Sequence, residues 1–353
     1  MTSDLTLTMT KKCVHQVIMK KTKLVPTNAT DVKIENLLKN KTTSYGVYFF
    51  SLLYTYIGQN VKVELLLKVF EPIDFSRKRC QKEYKILKFL KNALLPVPEV
   101  HIIEMDESLF GAPFIIMERI IGESIDVYVK DRKKNEIQTI VNRFAETLLS
   151  LHELKIDKIV SSVLPIPKDT YFFAKKCAFF KDELKYGGKW DYSWVSDWLK
   201  LNYTKFPCTQ YSLLHFDIQP KHFLVTKEGK IFFIDWELAQ LGDALRDVSV
   251  VYHDLRYVVG TSAASSFLEH YLFTSKRKID LSKLHFYIIY AALRQILYFR
   301  YLTTKSGLFS LVELLGFKHV AVLPLTYLRS MIRRKRTEKF LRKKIMLSFI
   351  TKK

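Results

Sequence analysis

Two aspartates, Asp217 and Asp235, each stand where a short apolar run meets a turn. Residues 211–214 lead into the first and residues 230–234 into the second. Between them, Phe223-Leu224-Val225, the turn Lys227-Glu228-Gly229 and the second apolar run spell a β-hairpin. A hairpin brings its ends back together, so both carboxylates are expected at one mouth. Two carboxylates converging beside a loop suit metal–phosphate chemistry, in which one orients a nucleophile and the other holds magnesium.

The rest of the chain has enough apolar material to build a fold around that mouth. Its 353 residues are 48% hydrophobic and 26% charged, which supports one large or two modest domains and excludes a disordered chain. Cys13, Cys80, Cys177 and Cys208 lie far apart with no Cys-x-x-Cys pair. They read as reduced thiols of a cytoplasmic protein, and neither a disulfide framework nor a zinc site is expected. Lysines interrupt residues 11–23, so no signal peptide is expected there. The apolar stretch 286–293 is closed by Arg294 and reads as a buried helix, too short to span a membrane. The net charge of +22 favours an acidic partner such as a nucleotide, an anionic lipid surface, a phosphorylated substrate or nucleic acid, or it simply keeps the protein soluble.

Residues 1–40 read as a polar, lysine-studded extension, with Thr30 or Asp31 capping a short helix through Leu38. From residue 44 the pattern turns to strands: 45–50, 52–56 and, after Gly58-Gln59-Asn60, 61–70. A helix is expected from Ser76 to Asn92, broken by Pro96 and Pro98, followed by strand-like runs over 99–105 and 113–119. Residues 41–121 thus form a β-rich small lobe with one helix. Helices dominate after Gly122. Ile137, Ile140, Val141, Phe144, Leu148 and Leu151 make an apolar stripe at helical spacing, and further helical runs cover 194–203, 263–272 and 281–302. The larger lobe is expected over 122–328 and a basic tail over 329–353.

The motif His215-Phe216-Asp217 with His222, then Ile234-Asp235-Trp236-Glu237, then Gly242-Asp243-Ala244-Leu245-Arg246-Asp247, resembles the aminoglycoside phosphotransferase and choline kinase family. That family is a branch of the protein-kinase-like fold. Its loop usually reads His-Gly-Asp-x-x-x-x-Asn, followed by Ile-Asp-Trp/Phe-Glu and Gly-Asp-Pro-x-x-Asp. Here Phe216 replaces the glycine, His222 the asparagine and Ala244 the proline. The resemblance spans about residues 44–302 and is strongest over 215–247. It implies an α+β, two-lobed protein-kinase-like fold, with a small β-rich nucleotide-binding N-lobe and a larger, mostly helical C-lobe carrying catalysis and substrate binding. The implied activity is transfer of the γ-phosphate of ATP, with Mg2+, to a hydroxyl of a small molecule, sugar or lipid head group. Asp235 is followed by Trp236-Glu237 and no Asp-Phe-Gly to Ala-Pro-Glu segment follows, which weighs against protein substrates. The alternative is a catalytically impaired nucleotide-binding pseudokinase or scaffold.

The resemblance implies a role for each candidate residue. Leu66 and Lys68 share one face of their strand, which in kinase-like folds covers the nucleotide, with the lysine at the α/β-phosphates. Read alone, Lys68 is more readily a surface lysine on an edge strand, since lysines are abundant here. Glu83 falls within the apolar stripe Cys80, Leu87, Leu90 and Leu94, and a carboxylate there is costly unless paired. Lys68 is its expected partner. The loop 41–46 has one glycine, and the hydroxyls of Thr43 and Ser44 are its candidate phosphate contacts. Met117, Glu118 and Ile120 match the linker whose backbone meets the adenine edge. Asp217 is the implied catalytic base, Asp235 the metal ligand, and Glu237 its assistant through water.

His222 leaves three outcomes open, since imidazole suits softer metals than magnesium. One main metal is held through Asp235, or the ring points away, or nucleotide binds with little catalysis. His215, Asp243 and Asp247 are expected as scaffolding, with Asp247 capping a helix. The aromatic insert 171–198 suits a choline-like cation, yet Trp190, Trp194 and Trp198 read better as a core stripe, and nearby lysines disfavour a cationic substrate. The tail from Arg329 reads as a basic amphipathic helix for an anionic membrane, less readily as a nucleic-acid contact, or as a solvated face.

Overall fold

The computed structural model describes residues 7–21, 24–40, 46–73, 75–160, 163–164 and 193–303. The loop holding Thr43 and Ser44, the aromatic insert over 171–192 and the tail from Arg329 lie outside the described residues. The architecture is α+β, with a sheet-built N-lobe and a helical C-lobe.

The N-lobe is a five-stranded sheet in the order β1-β2-β3-β5-β4, with every neighbouring pair antiparallel. Its strands are β1 (Thr30–Lys39), β2 (Val47–Tyr56), β3 (Gln59–Val69), β4 (Val100–Glu104) and β5 (Phe114–Glu118). β2 and β3 pair without interruption from Val47 opposite Lys68 to Tyr56 opposite Gln59. The hairpin turns at Ile57-Gly58, both with positive φ, the two-residue geometry that follows the strand twist. Alternation along β3 buries Leu65, Leu67 and Val69 on the outer face and leaves Leu66 and Lys68 on the inner one.

Two expectations for the first forty residues fail. Residues 30–39 form strand β1, not a helix, so the sheet begins inside the expected extension. Its period-2 pattern is broken by two register shifts against β2, where Asp31 and Asn36 adopt positive φ. Each bulge slips the apolar alternation by one residue and hides the strand. Ahead of it, α1 (Leu7–Lys21) packs Val14, Val17 and Ile18 on the outer face of the sheet, against Phe50, Leu52, Leu65 and Ile116. Among the described residues, the small lobe therefore has two helices.

The second, α2 (Ser76–Asn92), runs over the expected span and buries Cys80, Glu83, Ile86, Leu87 and Leu90 on one face. Leu94 does not join that stripe: the helix has ended, and Leu94 is exposed with φ +61.

The C-lobe is built on α3 (Lys134–His152), α5 (Ala244–Val258), α6 (Thr261–Thr274) and α7 (Leu281–Thr303), with α4 (Ser193–Asn202) against α7. Its short strands are β6 (Glu123–Ser124), β7 (Ser212–Leu214), β8 (Phe223–Val225), β9 (Ile231–Phe233) and β10 (Gln240–Gly242). β6, β8 and β9 form one sheet, and β7 pairs with β10. The expected stripe on α3 is buried from Ile140 to Leu151, where Phe144 packs on Phe223, Phe233 and Phe267. Trp198 stacks on Phe286, the core role rather than the cation-binding one. At Gly122 a Cβ would come within 2.7 Å of the Val225 carbonyl oxygen, so only glycine fits without a shift. One core runs through both lobes, from Leu87 and Met117 to Trp236, Val250 and Phe267. Among the described residues, no helix is long and apolar enough to cross a membrane.

Candidate active site

β7 delivers His215, Phe216 and Asp217 to the mouth between the lobes, and the β8–β9 hairpin returns the chain to the same place at Asp235. The hairpin register, Phe223 opposite Phe233, puts His222 beside Ile234, whose N–H donates to the His222 carbonyl at 3.0 Å. His215 joins the two loops: its Nε2–H donates to the Ile234 carbonyl at 2.8 Å. Burial lowers the His215 pKa, against the pull of Asp247, so the ring acts as a neutral strut.

The cleft is closed from above by Lys68. Its Nζ lies 2.8 Å from Glu83 Oε2, 2.7 Å from Asp235 Oδ1 and 3.5 Å from Glu237 Oε2. Burial opposes the charge of Lys68, but Glu83, Asp235 and Glu237 outweigh it and hold the pKa above the ordinary lysine value. The expected Lys68–Glu83 pair is thus present, and Glu83, 1% exposed, spends its other oxygen on the Trp236 N–H at 3.3 Å. Burial also opposes ionisation of Asp235, yet Lys68 holds its carboxyl below the ordinary range.

At the lower side, Asp217 Oδ1 accepts from Gln219 Nε2 at 2.6 Å and lies 3.7 Å from the Arg294 guanidinium. The His222 ring stands between the two aspartates. Its Nδ1 is 2.7 Å from the Asp217 carbonyl oxygen, and its Nε2 is 3.5 Å from Asp235 Oδ2. Glu237 reaches the same cluster, but Arg79 holds its Oε1 at 2.6 Å, so its carboxylate is tied into the ion-pair network. Gln219, Arg79 and Arg294 carried no motif. The one signal was Arg294 itself, a charge ending an apolar helical run, which has to face a partner or solvent.

Farther along the sheet, Met117 is buried on β5 opposite Leu66. The Glu118 and Arg119 N–H groups donate to Glu99 and Glu64 carbonyls at 2.8 Å and 3.0 Å. Sheet bonds occupy both donors, so neither is available to a base edge. The Ile120 N–H has no backbone partner among the described residues.

The scaffolding differs from expectation at one residue. Helix α5 is capped by Asp243, whose Oδ1 accepts from the Leu245 N–H at 3.0 Å, and not by Asp247. Asp247 lies within the first turn, fully buried, and latches the loop after β7 by accepting the His215 N–H at 2.8 Å and the Phe216 N–H at 3.3 Å. Its other oxygen takes Arg246 at 2.8 Å. The Arg246 guanidinium then covers the Phe216 ring at 3.4 Å and donates to the Phe216 carbonyl at 3.1 Å. These contacts hold Phe216 at φ +70, a conformation that a bulky residue rarely adopts and that suits the usual glycine.

Asp247 makes a pH prediction. Burial opposes its charge, but the contacts with His152 and Arg246 hold its pKa at about 2, below the ordinary 3.8. A depressed carboxyl stabilises the fold above its unfolded pKa, and that contribution is lost as pH falls through the folded value. Stability is therefore expected to fall between about pH 4 and pH 2. Asp247→Asn, which leaves Arg246 without its counter-charge, is expected to cost about 3–5 kcal/mol in urea unfolding at neutral pH and to flatten that acid limb.

The fold and this site belong to a known class. The model of the phosphotransferase enzyme family matches residues 55–287, more than half of the chain, and the protein belongs to that family. A search of the curated proteins finds no match. Among solved structures, a proposed aminoglycoside phosphotransferase from Ralstonia eutropha superposes with a TM-score of 0.63 at 16% identity, covering 93% of this chain and 98% of that one. The choline kinase LicA from Streptococcus pneumoniae gives 0.53 at 14% identity, covering 95% and 99%. The GDP and kanamycin complex of APH(2")-IIIa gives 0.55 at 15% identity, covering 90% and 95%. At these identities the likeness establishes the fold.

Proposed function

We propose that the protein transfers the γ-phosphate of ATP to a hydroxyl group of a small molecule, sugar or lipid head group. The observation that carries this reading is the continuous line of polar groups from Lys68 and Glu83 in the N-lobe, through Asp235, to His222 and Asp217 in the C-lobe. Membership of the phosphotransferase family supports it, as do fold neighbours whose names specify choline or a complex with nucleotide and kanamycin.

In this reading Lys68 meets the α/β-phosphates, and the Glu83 pair keeps it extended into the cleft. The linker after Met117 meets the base edge at Ile120. Asp217 accepts the proton of the acceptor hydroxyl as that oxygen bonds to the γ-phosphorus. The bond from phosphorus to the bridging oxygen breaks, and ADP leaves with that electron pair. Gln219 and Arg294 aim the Asp217 carboxylate. Asp235 carries an oxygen, Oδ2, turned away from Lys68, and ligand atoms of Asp217, His222 and Asp235 lie within 4.8 Å of one another. Such ligands fit a divalent cation held through Asp235, with Glu237 behind it. When bound, that cation supplies charge neutralisation of the phosphate oxygens.

The test is a screen of hydroxyl compounds by class with ATP and a divalent cation, reading phosphorylated product by mass. A product formed by wild type and absent with Asp217→Ala supports the reading. ATP binding with no product and no Asp217-dependent ADP formation overturns it in favour of a nucleotide-binding pseudokinase.

A further inference from the structure

His222 occupies the position where the resembled family carries asparagine, and its environment defines what the ring can do. The side chain is 7% exposed and lies between two carboxylates. Its Nδ1 sits 2.7 Å from the Asp217 carbonyl oxygen, which only accepts, so Nδ1 carries the proton. In the neutral ring the lone pair is then on Nε2. That lone pair faces Asp235 Oδ2 at 3.5 Å. With the ring neutral, two acceptors face one another, and a cation placed between them would satisfy both.

The spacing fits a metal ion. Adjacent donors on an octahedral ion with bonds of about 2.1 Å stand about 3 Å apart, a small closing movement from the distance seen here. Asp235 is free to make it, because Lys68 engages Oδ1 and leaves Oδ2 to the ring side. Ligand atoms of Asp217, His222 and Asp235 all lie within 4.8 Å of one another. The Asp217 carbonyl that fixes Nδ1 also fixes the ring's orientation, the support that metal-binding histidines commonly receive.

We propose that His222 Nε2 and Asp235 Oδ2 form a nitrogen–oxygen pair that binds a divalent transition ion of the Mn2+ type in preference to Mg2+. Imidazole nitrogen is a weak donor to Mg2+ and a good one to first-row transition ions. Mn2+ also keeps the oxygen-rich octahedral shell that triphosphate oxygens would complete. The asparagine of the family offers only oxygen there, so His222 is the residue that changes the metal. The inference rests on the phosphotransferase reading only for the ion's purpose, since binding can be read without turnover.

The experiment is a Mn2+ titration of the full chain followed by electron paramagnetic resonance, with Mg2+ in competition, for wild type and His222→Asn. The wild-type preference for Mn2+ over Mg2+ should exceed that of His222→Asn by about tenfold or more. Pulsed measurements on the Mn2+ complex should show nitrogen coupling that changes in protein grown with 15N-histidine and vanishes in His222→Asn. The variant is expected to fold, because the asparagine amide can still donate to the Asp217 carbonyl; should it not, the isotope effect in wild type decides alone. Oxygen-only coordination in wild type, or an unchanged metal preference in His222→Asn, overturns the proposal. Histidine coordination without turnover under any metal would instead count against the phosphotransferase reading and leave this one standing.

Discussion

Replacing Asp217 with asparagine is expected to lower the phosphoryl-transfer rate by about 10²–10⁴-fold at saturating ATP. The substitution keeps the size of the side chain and an oxygen that can accept from Gln219, whose Nε2 lies 2.6 Å from Asp217 Oδ1. It removes the negative charge and the capacity to take the hydroxyl proton. Asp217 contacts neither Lys68 nor Glu83 directly, so nucleotide affinity should hardly change and the loss should fall on kcat. Its side chain is 21% exposed at the cleft mouth, so the substitution should leave the melting temperature close to that of wild type. Steady-state rates with the acceptor found in the screen, together with nucleotide titration, separate these effects. A matching loss of nucleotide affinity would indicate a binding or folding defect instead of lost proton transfer.

The second large effect is expected at Lys68. Lys68→Met should reduce the transfer rate by about 10²–10³-fold, the scale seen when one preorganised donor to a developing anion is removed. In contrast to Asp217, it should also weaken nucleotide binding, because the ammonium would contact the ground-state phosphates as well. The deletion leaves Glu83, Asp235 and Glu237 facing one another without the cation they surround. Burial already raises the Glu83 carboxyl, with Lys68 pulling against it, so losing Lys68 should push it further up and favour the neutral acid. A carboxyl stretch of the neutral acid, present in the variant and absent in Lys68→Met combined with Glu83→Gln, checks this by infrared difference spectroscopy.

The parts of the site legible in the sequence were those where one side chain violated its local pattern. Glu83 in an apolar stripe demanded a cation, and Lys68 is there at 2.8 Å. The two aspartates at strand ends demanded a hairpin between them, and β8 and β9 form it. What stayed hidden depended on contacts between distant segments or on irregular backbone. The bulges at Asp31 and Asn36 disguised β1 by shifting its alternation. Asp247 looked like a helix cap because nothing local reveals that two loop N–H groups, about thirty positions upstream, would point at it. Glu237 was legible as a carboxylate near Asp235, but its bond to Arg79 joins segments with no common periodicity. The direction of the His222 ring was likewise set by the Asp217 carbonyl, a contact that residue type alone does not specify.

The most direct measurement follows the γ-phosphate of ATP by 31P NMR of quenched, metal-stripped samples under single-turnover conditions, with Mn2+ or Mg2+ in the reaction, for wild type, Asp217→Asn and Asp235→Asn. The expected result is conversion of ATP to ADP by wild type, faster with a hydroxyl acceptor, and about 10²-fold or more slower in both variants. ATP that binds wild type yet remains intact, or that turns over equally fast in all three proteins, would contradict the assignment of this cleft to phosphoryl transfer.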